Sequence, residues 1–187
     1  GADLSHANLS GVDLTGKDLS GTILTGADLS HANLSDVDLS GKDLSNANLS
    51  GVDLSGKDLT FTNFSNGNLS GINLENTILV NTSFNQIQFD ESLKKSHLNG
   101  MAGGGFSHTN MSGFDFSGIS LFGVYFNNAE LEGADFSHST LISVQFVSSN
   151  LKDVKFDDAD FRDGQTFTKP CGNCTPDIMS LTIDEMN

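Results

Sequence analysis

The polar and apolar positions of this chain follow a period of five. Counting from Leu4, a large apolar residue returns at every fifth position as far as Phe89, giving 18 such positions, of which 15 are Leu and the others are Phe64, Phe84 and Phe89. An α-helix would smear these side chains round its whole circumference, because a step of five residues turns about 140° at about 3.6 residues per turn. A continuous strand fails as well, since five is odd and alternate leucines would face opposite ways. The chain must therefore turn a corner within each pentapeptide, which winds it into a coil that stacks on itself around one narrow core.

The residues around each Leu, position i, say how the corner is made. The small residue at i−2 shares the inward face with Leu, while the Asp or Asn at i−1 points out. Ser or Thr at i+1 and Gly, His or Asn at i+2 suit the turn, because they tolerate its backbone angles or bond to their own main chain. Examples are Ala2-Asp3-Leu4, Ala7-Asn8-Leu9, Ala27-Asp28-Leu29, Ala32-Asn33-Leu34, Ala47-Asn48-Leu49 and Ala134-Asp135-Phe136.

That iterated A-[DN]-L-x-x motif resembles the pentapeptide-repeat family over roughly 150 of the 187 residues. The resemblance implies an all-β fold, a right-handed parallel β-helix of square cross-section with four pentapeptides per coil. Residues 20 apart then stack. Asp18, Asp38 and Asp58 fall in one outward column, a candidate acidic surface, and at a coil spacing of about 4.8 Å their carboxylates repel. Lys17, Lys42 and Lys57 stand at i−2, where the motif expects a small inward residue. Their stems are expected to line the corner, with the ammonium groups reaching solvent or backbone carbonyls.

Residues 1–89 form a first block. After Phe89 the next residue expected in the core is Phe106, 17 positions on, so the register shifts. Residues 90–105 read as an inserted loop or short helix protruding from the side, with Asp90 as N-cap, Gly100 as stop and residues 101–105 as a flexible return. A second block over 106–161 alternates Phe with Leu or Met, so that Phe106, Phe126 and Phe146 stack on one face and Phe116, Phe136 and Phe156 on the opposite one. Phe114, large where a small residue is expected, marks a distorted start. Residues 162–187 read as a cap or tail, with a helix starting at Thr175-Pro176.

Composition narrows the function. The formal charge is −15, from 24 acidic and 9 basic residues, which disfavours direct binding to nucleic acid. No apolar run is long enough to span a membrane. The chain opens inside a repeat, as expected for the C-terminal part of a longer protein whose preceding sequence could supply membrane association. Cys171 and Cys174 lack the two further ligands that a zinc site needs, and read as free thiols or a redox pair. The histidines do not converge, and no nucleophile, metal or cofactor constellation is evident, so an enzyme is not expected.

The remaining reading is a protein-interaction scaffold. Dense repeats, one internal break and a short tail resemble type III secreted bacterial effectors of the PipB type, which implies host proteins or host endomembranes as partners. Alternatives are a DNA mimic of the topoisomerase-protecting kind that binds gyrase, in the bacterial cytoplasm, and an ice-binding or other surface-recognition solenoid, although Thr forms no regular paired columns. The candidate partner-binding residues are Phe122 and Ile142 at outward i+1 positions, with Tyr125 at i−1 and Val147 at i+1 just round the same corner. Oligomeric state is left open.

Overall fold

Most pentapeptides close their corner with the same two hydrogen bonds and one backbone angle. The amide of residue i+3 donates to the carbonyl of i, as Ala7 does to Leu4 at 3.0 Å. The i−1 carboxylate or amide oxygen accepts the N–H of i+1, as in Ser5 to Asp3 at 3.0 Å and Ser10 to Asn8 at 3.1 Å. The residue at i+2 takes positive φ, which every non-glycine residue found in that region does from this position. The D/N, S/T, G/H/N order of the motif is therefore a turn written in side chains.

The computed structural model describes residues 1–162, and they wind into a right-handed parallel β-helix. The expected cap, the helix from Thr175 and the pair Cys171 and Cys174 lie outside the described residues. Successive coils pair in parallel at a spacing of 20, as along Asn8, Asp28, Asn48 and Asn68. We number the four faces by their first core residue: face 1 begins at Leu4, face 2 at Leu9, face 3 at Leu14 and face 4 at Leu19. Where Asp and Asn alternate in a column, the amide donates to the carboxylate of the coil before: Asn48 to Asp28 at 3.1 Å and Asn63 to Asp43 at 3.1 Å.

The core is a file of i residues with i−2 residues beside them, among them Leu24, Ala27, Leu29, Leu34, Val37 and Leu39. On face 1 the leucines give way to an aromatic stack, Phe64, Phe84, Phe106, Phe126 and Phe146, with ring centroids 5.4–5.5 Å apart. Phe116, Phe136 and Phe156 stack on face 3, at 4.4 and 5.4 Å. The alternation expected of the second block is thus a pair of facing stacks, of which the face 1 stack already starts in the first block at Phe64. Phe114 is half-buried and packs on Phe116 at 4.5 Å.

The segment 90–105 departs from expectation. It does not protrude: it is part of one coil of 22 residues, in register as Val80 with Ala102, Ser83 with Gly105 and Gln88 with Asn110. Leu93, Leu98 and Met101 are buried, so the core does not wait for Phe106. The two extra residues are absorbed on face 3, where a single turn, α1 (Lys95–Leu98), replaces the extended wall. Its N-cap is Lys94 and not Asp90, which instead accepts from Ser92 at 2.9 Å and from Gly71 of the preceding coil at 3.0 Å. The expected flexible return is structured, because β1 (Met101–Ala102) opens a parallel sheet continued by β2 (Ser120–Phe122), β3 (Thr140–Ile142) and β4 (Asp160–Arg162). Gly104 and Gly105 are buried at close backbone approaches, where a Cβ on Gly104 would lie 2.0 Å from the Thr82 carbonyl oxygen.

Candidate interaction surface

Face 4 and face 1 meet at the corner that carries the apolar candidates. Phe122 and Ile142 are direct neighbours, paired in register between β2 and β3, and the same column runs back through Ala102 to Val80. Phe122 is 39% exposed, whereas Tyr125, Ile142 and Val147 are half-buried. Tyr125 lies across Gly105, whose added Cβ would come within 2.6 Å of the ring, so the absent side chain there gives the tyrosine its seat. Val147 donates its N–H to the Asn127 side chain at 3.3 Å. Phe122 and Ile142 share the corner from face 4 to face 1 and Tyr125 follows just round it, whereas Val147, one residue past Phe146, lies at the next turn beside Asn127 and Asn128.

The charges of the later coils are segregated. Pentapeptides 99–103, 119–123 and 139–143 on face 4 and 104–108, 124–128 and 144–148 on face 1 contain no Asp, Glu, Lys or Arg. The charged residues of those coils sit on faces 2 and 3, where Lys152 pairs with Glu132, Lys155 with Asp135 at 3.4 Å and Lys95 with Asp115 at 2.9 Å. Asp115 is held down to about 2 by hydrogen bonds from Ser117 and from Lys95. Between residues 99 and 148 this corner can lose its water without stranding an ion, whereas β4 brings Asp160 and Arg162 of face 4 into register with Thr140 and Ile142 at its end.

Two further residues extend this surface and follow from other signals. Phe61 is 64% exposed and its amide donates to the Val80 carbonyl at 2.8 Å, which sets it beside the foot of the apolar column. It adopts φ 59°, a conformation strained for a bulky side chain. Its place at i+2, where the other corners carry Gly, Asn, Asp, His, Gln or Ser, was visible in the sequence. Val80 was not visible as a member, because the 22-residue coil hides its alignment with Phe122.

The acidic candidates occupy the early part of face 4. Asp18, Asp38 and Asp58 are exposed, and each is held below the ordinary carboxylate value first by its turn hydroxyl: Ser20, Ser40 and Thr60 respectively. Asp38 opposes this at Asp58 by charge repulsion. No backbone bridge joins 18 to 38 or 38 to 58, and the coils part there, leaving open depressions of about 410 and 770 Å³. Two of the three lysines reach backbone carbonyls. Lys42 Nζ donates to the Leu19 carbonyl and Lys57 Nζ to that of Val37 at 3.0 Å, while Lys17 is exposed. Lys42 does what Thr62 and Thr82 do with hydroxyls on later coils, at 2.9 Å to the Leu39 and Leu59 carbonyls.

Among the described residues no group of three or more His, Cys, Asp or Glu side chains is placed to hold a metal, and no helix is long and apolar enough to cross a membrane. His6, His31, His108 and His138 stand apart at corners, whereas His97 is buried on α1.

The family model for pentapeptide repeats matches in 8 copies, over residues 2–41, 43–81, 58–93, 106–137 and 129–163. Among curated proteins no significant match is found. Similar solved structures include the pentapeptide-repeat protein Rfr23 from the cyanobacterium Cyanothece 51142, at 22% identity over 89% of this chain and 91% of that one, TM-score 0.35. HetL, a pentapeptide-repeat protein involved in heterocyst differentiation regulation in Nostoc sp. strain PCC 7120, aligns at 22% identity over 84% of each chain, TM-score 0.32. QnrB1, a plasmid-mediated fluoroquinolone resistance protein, aligns at 15% identity over 86% of this chain and 87% of that one, TM-score 0.34. With the family model spanning nearly all described coils and most corners closed by the same side-chain turn, the chain belongs to the pentapeptide-repeat family.

Proposed function

We propose that this rod is a non-enzymatic protein-interaction scaffold whose contact surface is the corner of Phe122, Tyr125 and Ile142, with Val147 at the next turn. The observation that supports it is the coincidence of those apolar side chains with a stretch of faces 4 and 1, residues 99–108, 119–128 and 139–148, that holds no Asp, Glu, Lys or Arg on a chain of net charge −15. Burial of such anchors at about 25 cal/mol per Å² of apolar area, within a surface easily stripped of water, is how a compact contact gains several kcal/mol. The rigid rod holds the anchors in place, so little ordering opposes binding. The finer reading, drawn from the resemblance of repeat density, break and tail, is a secreted bacterial effector whose partners are host proteins at endomembranes. The test is the fourfold change to Ser at 122, 125, 142 and 147. Partner capture from host-cell lysate is expected to disappear while the melting temperature stays near that of the parent; capture that survives, or a chain that unfolds, removes the assignment.

A second reading, a DNA mimic acting on gyrase, is favoured by the uninterrupted column Asp18, Asp38 and Asp58, ionised at neutral pH. Supercoiling by gyrase should then fall as the rod is added and recover with Asp18, Asp38 and Asp58 all changed to Asn. Unchanged supercoiling at every concentration excludes it.

A further inference from the structure

The one buried histidine sits where the solenoid departs from its own rule. His97, on α1, has only 2% of its side chain exposed, and its two ring nitrogens face opposite demands. Nδ1 accepts the N–H of the N-cap residue Lys94 at 3.3 Å, closing the first turn from the side-chain end, while the His97 amide donates back to the Lys94 carbonyl at 3.0 Å. An accepting Nδ1 carries no proton, so the ring is the neutral tautomer with hydrogen on Nε2. Nε2 lies 3.4 Å from Glu75 Oε1 on the coil below, within ion-pair distance but without the alignment of a full hydrogen bond, and has no other partner.

The neighbours fix what a second proton would do. Glu75 is the carboxylate facing the ring, and it also accepts from Ser96 Oγ at 3.1 Å. Lys94 is the near cation. Lys95, on the same turn, is engaged by Asp115 and by the Ser117 carbonyl of the coil above. The cavity of about 190 Å³ on the other side is lined by Thr77, Ile78, Leu79, Val80, Asn99 and Met101 among others, none of them ionisable. A proton added to Nδ1 would set N–H against N–H at Lys94 and destroy the bond that closes the turn.

From this geometry we infer that His97 is an acid-sensitive latch: the α1 turn stays in the wall only while the ring is neutral, and uptake of one proton releases residues 94–100. Burial works in the same direction, since it lowers the affinity of His97 for a proton in the closed state, and the attraction of Glu75 opposes it without prevailing. The sign follows. Above the ordinary value of 6.5 both closed and open states are neutral and pH has no effect. Below it the open state binds the proton more readily, so opening grows as pH falls, until the closed state itself titrates. What opens is one turn, while the stack Phe84, Phe106 and Phe126 behind it holds the coils together.

Hydrogen exchange on the full chain, corrected for the intrinsic pH dependence of amide exchange, tests this. Opening of residues 94–100 is expected to rise about tenfold for each pH unit below the histidine range, as uptake of one proton requires, with the amide of Phe126 unaffected. In His97→Gln, whose side chain can both accept from Lys94 and donate toward Glu75, the segment is expected to stay closed at every pH. A segment whose opening is independent of pH in the parent, or equally pH-dependent in His97→Gln, overturns the latch. Should His97→Gln fail to fold, Glu75→Gln gives an independent reading, because loss of the carboxylate must move the imidazole titration, followed by NMR, to lower pH. An unmoved titration overturns it too.

Discussion

Face 4 is built twice from the same pentapeptide, and the two halves behave differently. In its early coils the column reads Lys17-Asp18-Leu19, Val37-Asp38-Leu39 and Lys57-Asp58-Leu59, and no bridge joins one to the next. In its later coils it reads Ser120-Leu121-Phe122 and Thr140-Leu141-Ile142, and there lies the four-stranded sheet of β1 to β4. The inward Leu is common to both, so the core does not explain the difference. What changes is the i−1 column. Three carboxylates in succession, without the Asn that separates Asp28 from its neighbours on face 2, oppose close approach. Charge is one cause among others: Ile23 and Asp43, and Asn33 and Asp53, are also unbridged, whereas Asp115 and Asp135, paired with Lys95 and Lys155, do bridge. Ser and Thr impose no such cost, and the β-branched and aromatic residues beside them suit a strand. Hydrophobic register makes the coil; unneutralised charge in the outer column works against closing its seams.

The largest test concerns the core that the two halves share. Phe126 stacks between Phe106 and Phe146, both at 5.4 Å, and meets Phe116 and Phe136 edge-on at 5.5 and 5.8 Å. Its change to Ala should cost about 3–5 kcal/mol, and the same change at Leu44, fully buried in the same column, about 2–3. Denaturant unfolding measures both. Equal losses would mean that the aromatic stack adds nothing beyond its volume.

Moving the acidic column into the later half is the next test. Ser120→Asp with Thr140→Asp would set three carboxylates in file with Asp160 while leaving the core untouched. The two new facing pairs should cost about 1–2 kcal/mol at low salt, less at high salt, and slow no other part of the rod. If the sheet tolerates them at no cost, the parted seams of the early coils have another origin.

The fold was largely legible because its signal is periodic: eighteen regular positions fix which side chains face in, and the turn residues fix the corners. Phe122, Ile142 and Tyr125 were legible for the same reason, as exceptions to a polar rule, whereas Val147 falls at the next turn. The break was not. Reading 17 residues from Phe89 to Phe106 as a gap assumed that the core could be filled only at intervals of five, whereas Leu93, Leu98 and Met101 fill it at uneven steps through a helical turn. A short helix of four residues has no amphipathic period long enough to be seen. His97 was hidden with it, since its burial depends on where that turn packs. The lysines resisted for another reason: whether Nζ meets water or the Leu19 carbonyl depends on a third coil, 23 residues away.

The smallest test reverses the sign. Asp58 is the carboxylate whose ionisation Asp38 opposes, and no lysine contributes to holding it ionised. Asn at 58 would keep the turn bond, since its oxygen can still accept the Thr60 amide, now 2.9 Å from Asp58 Oδ1. Its amide would also donate to Asp38, as Asn48 does to Asp28. Asp58→Asn should therefore stabilise the early coils slightly at neutral pH and increase the exchange protection of the Leu39 amide. The gain requires both Asp38 and Asp58 to be ionised in the parent. Because Ser40 and Thr60 hold the two carboxyls below 3.8, it should persist at pH 5 and fade only as the pH drops through the lowered carboxylate range. A variant no more stable than the parent at pH 7, with Leu39 exchanging as before, would show that the seam between residues 38 and 58 is held apart by Lys57 and its bond to Val37, and not by charge.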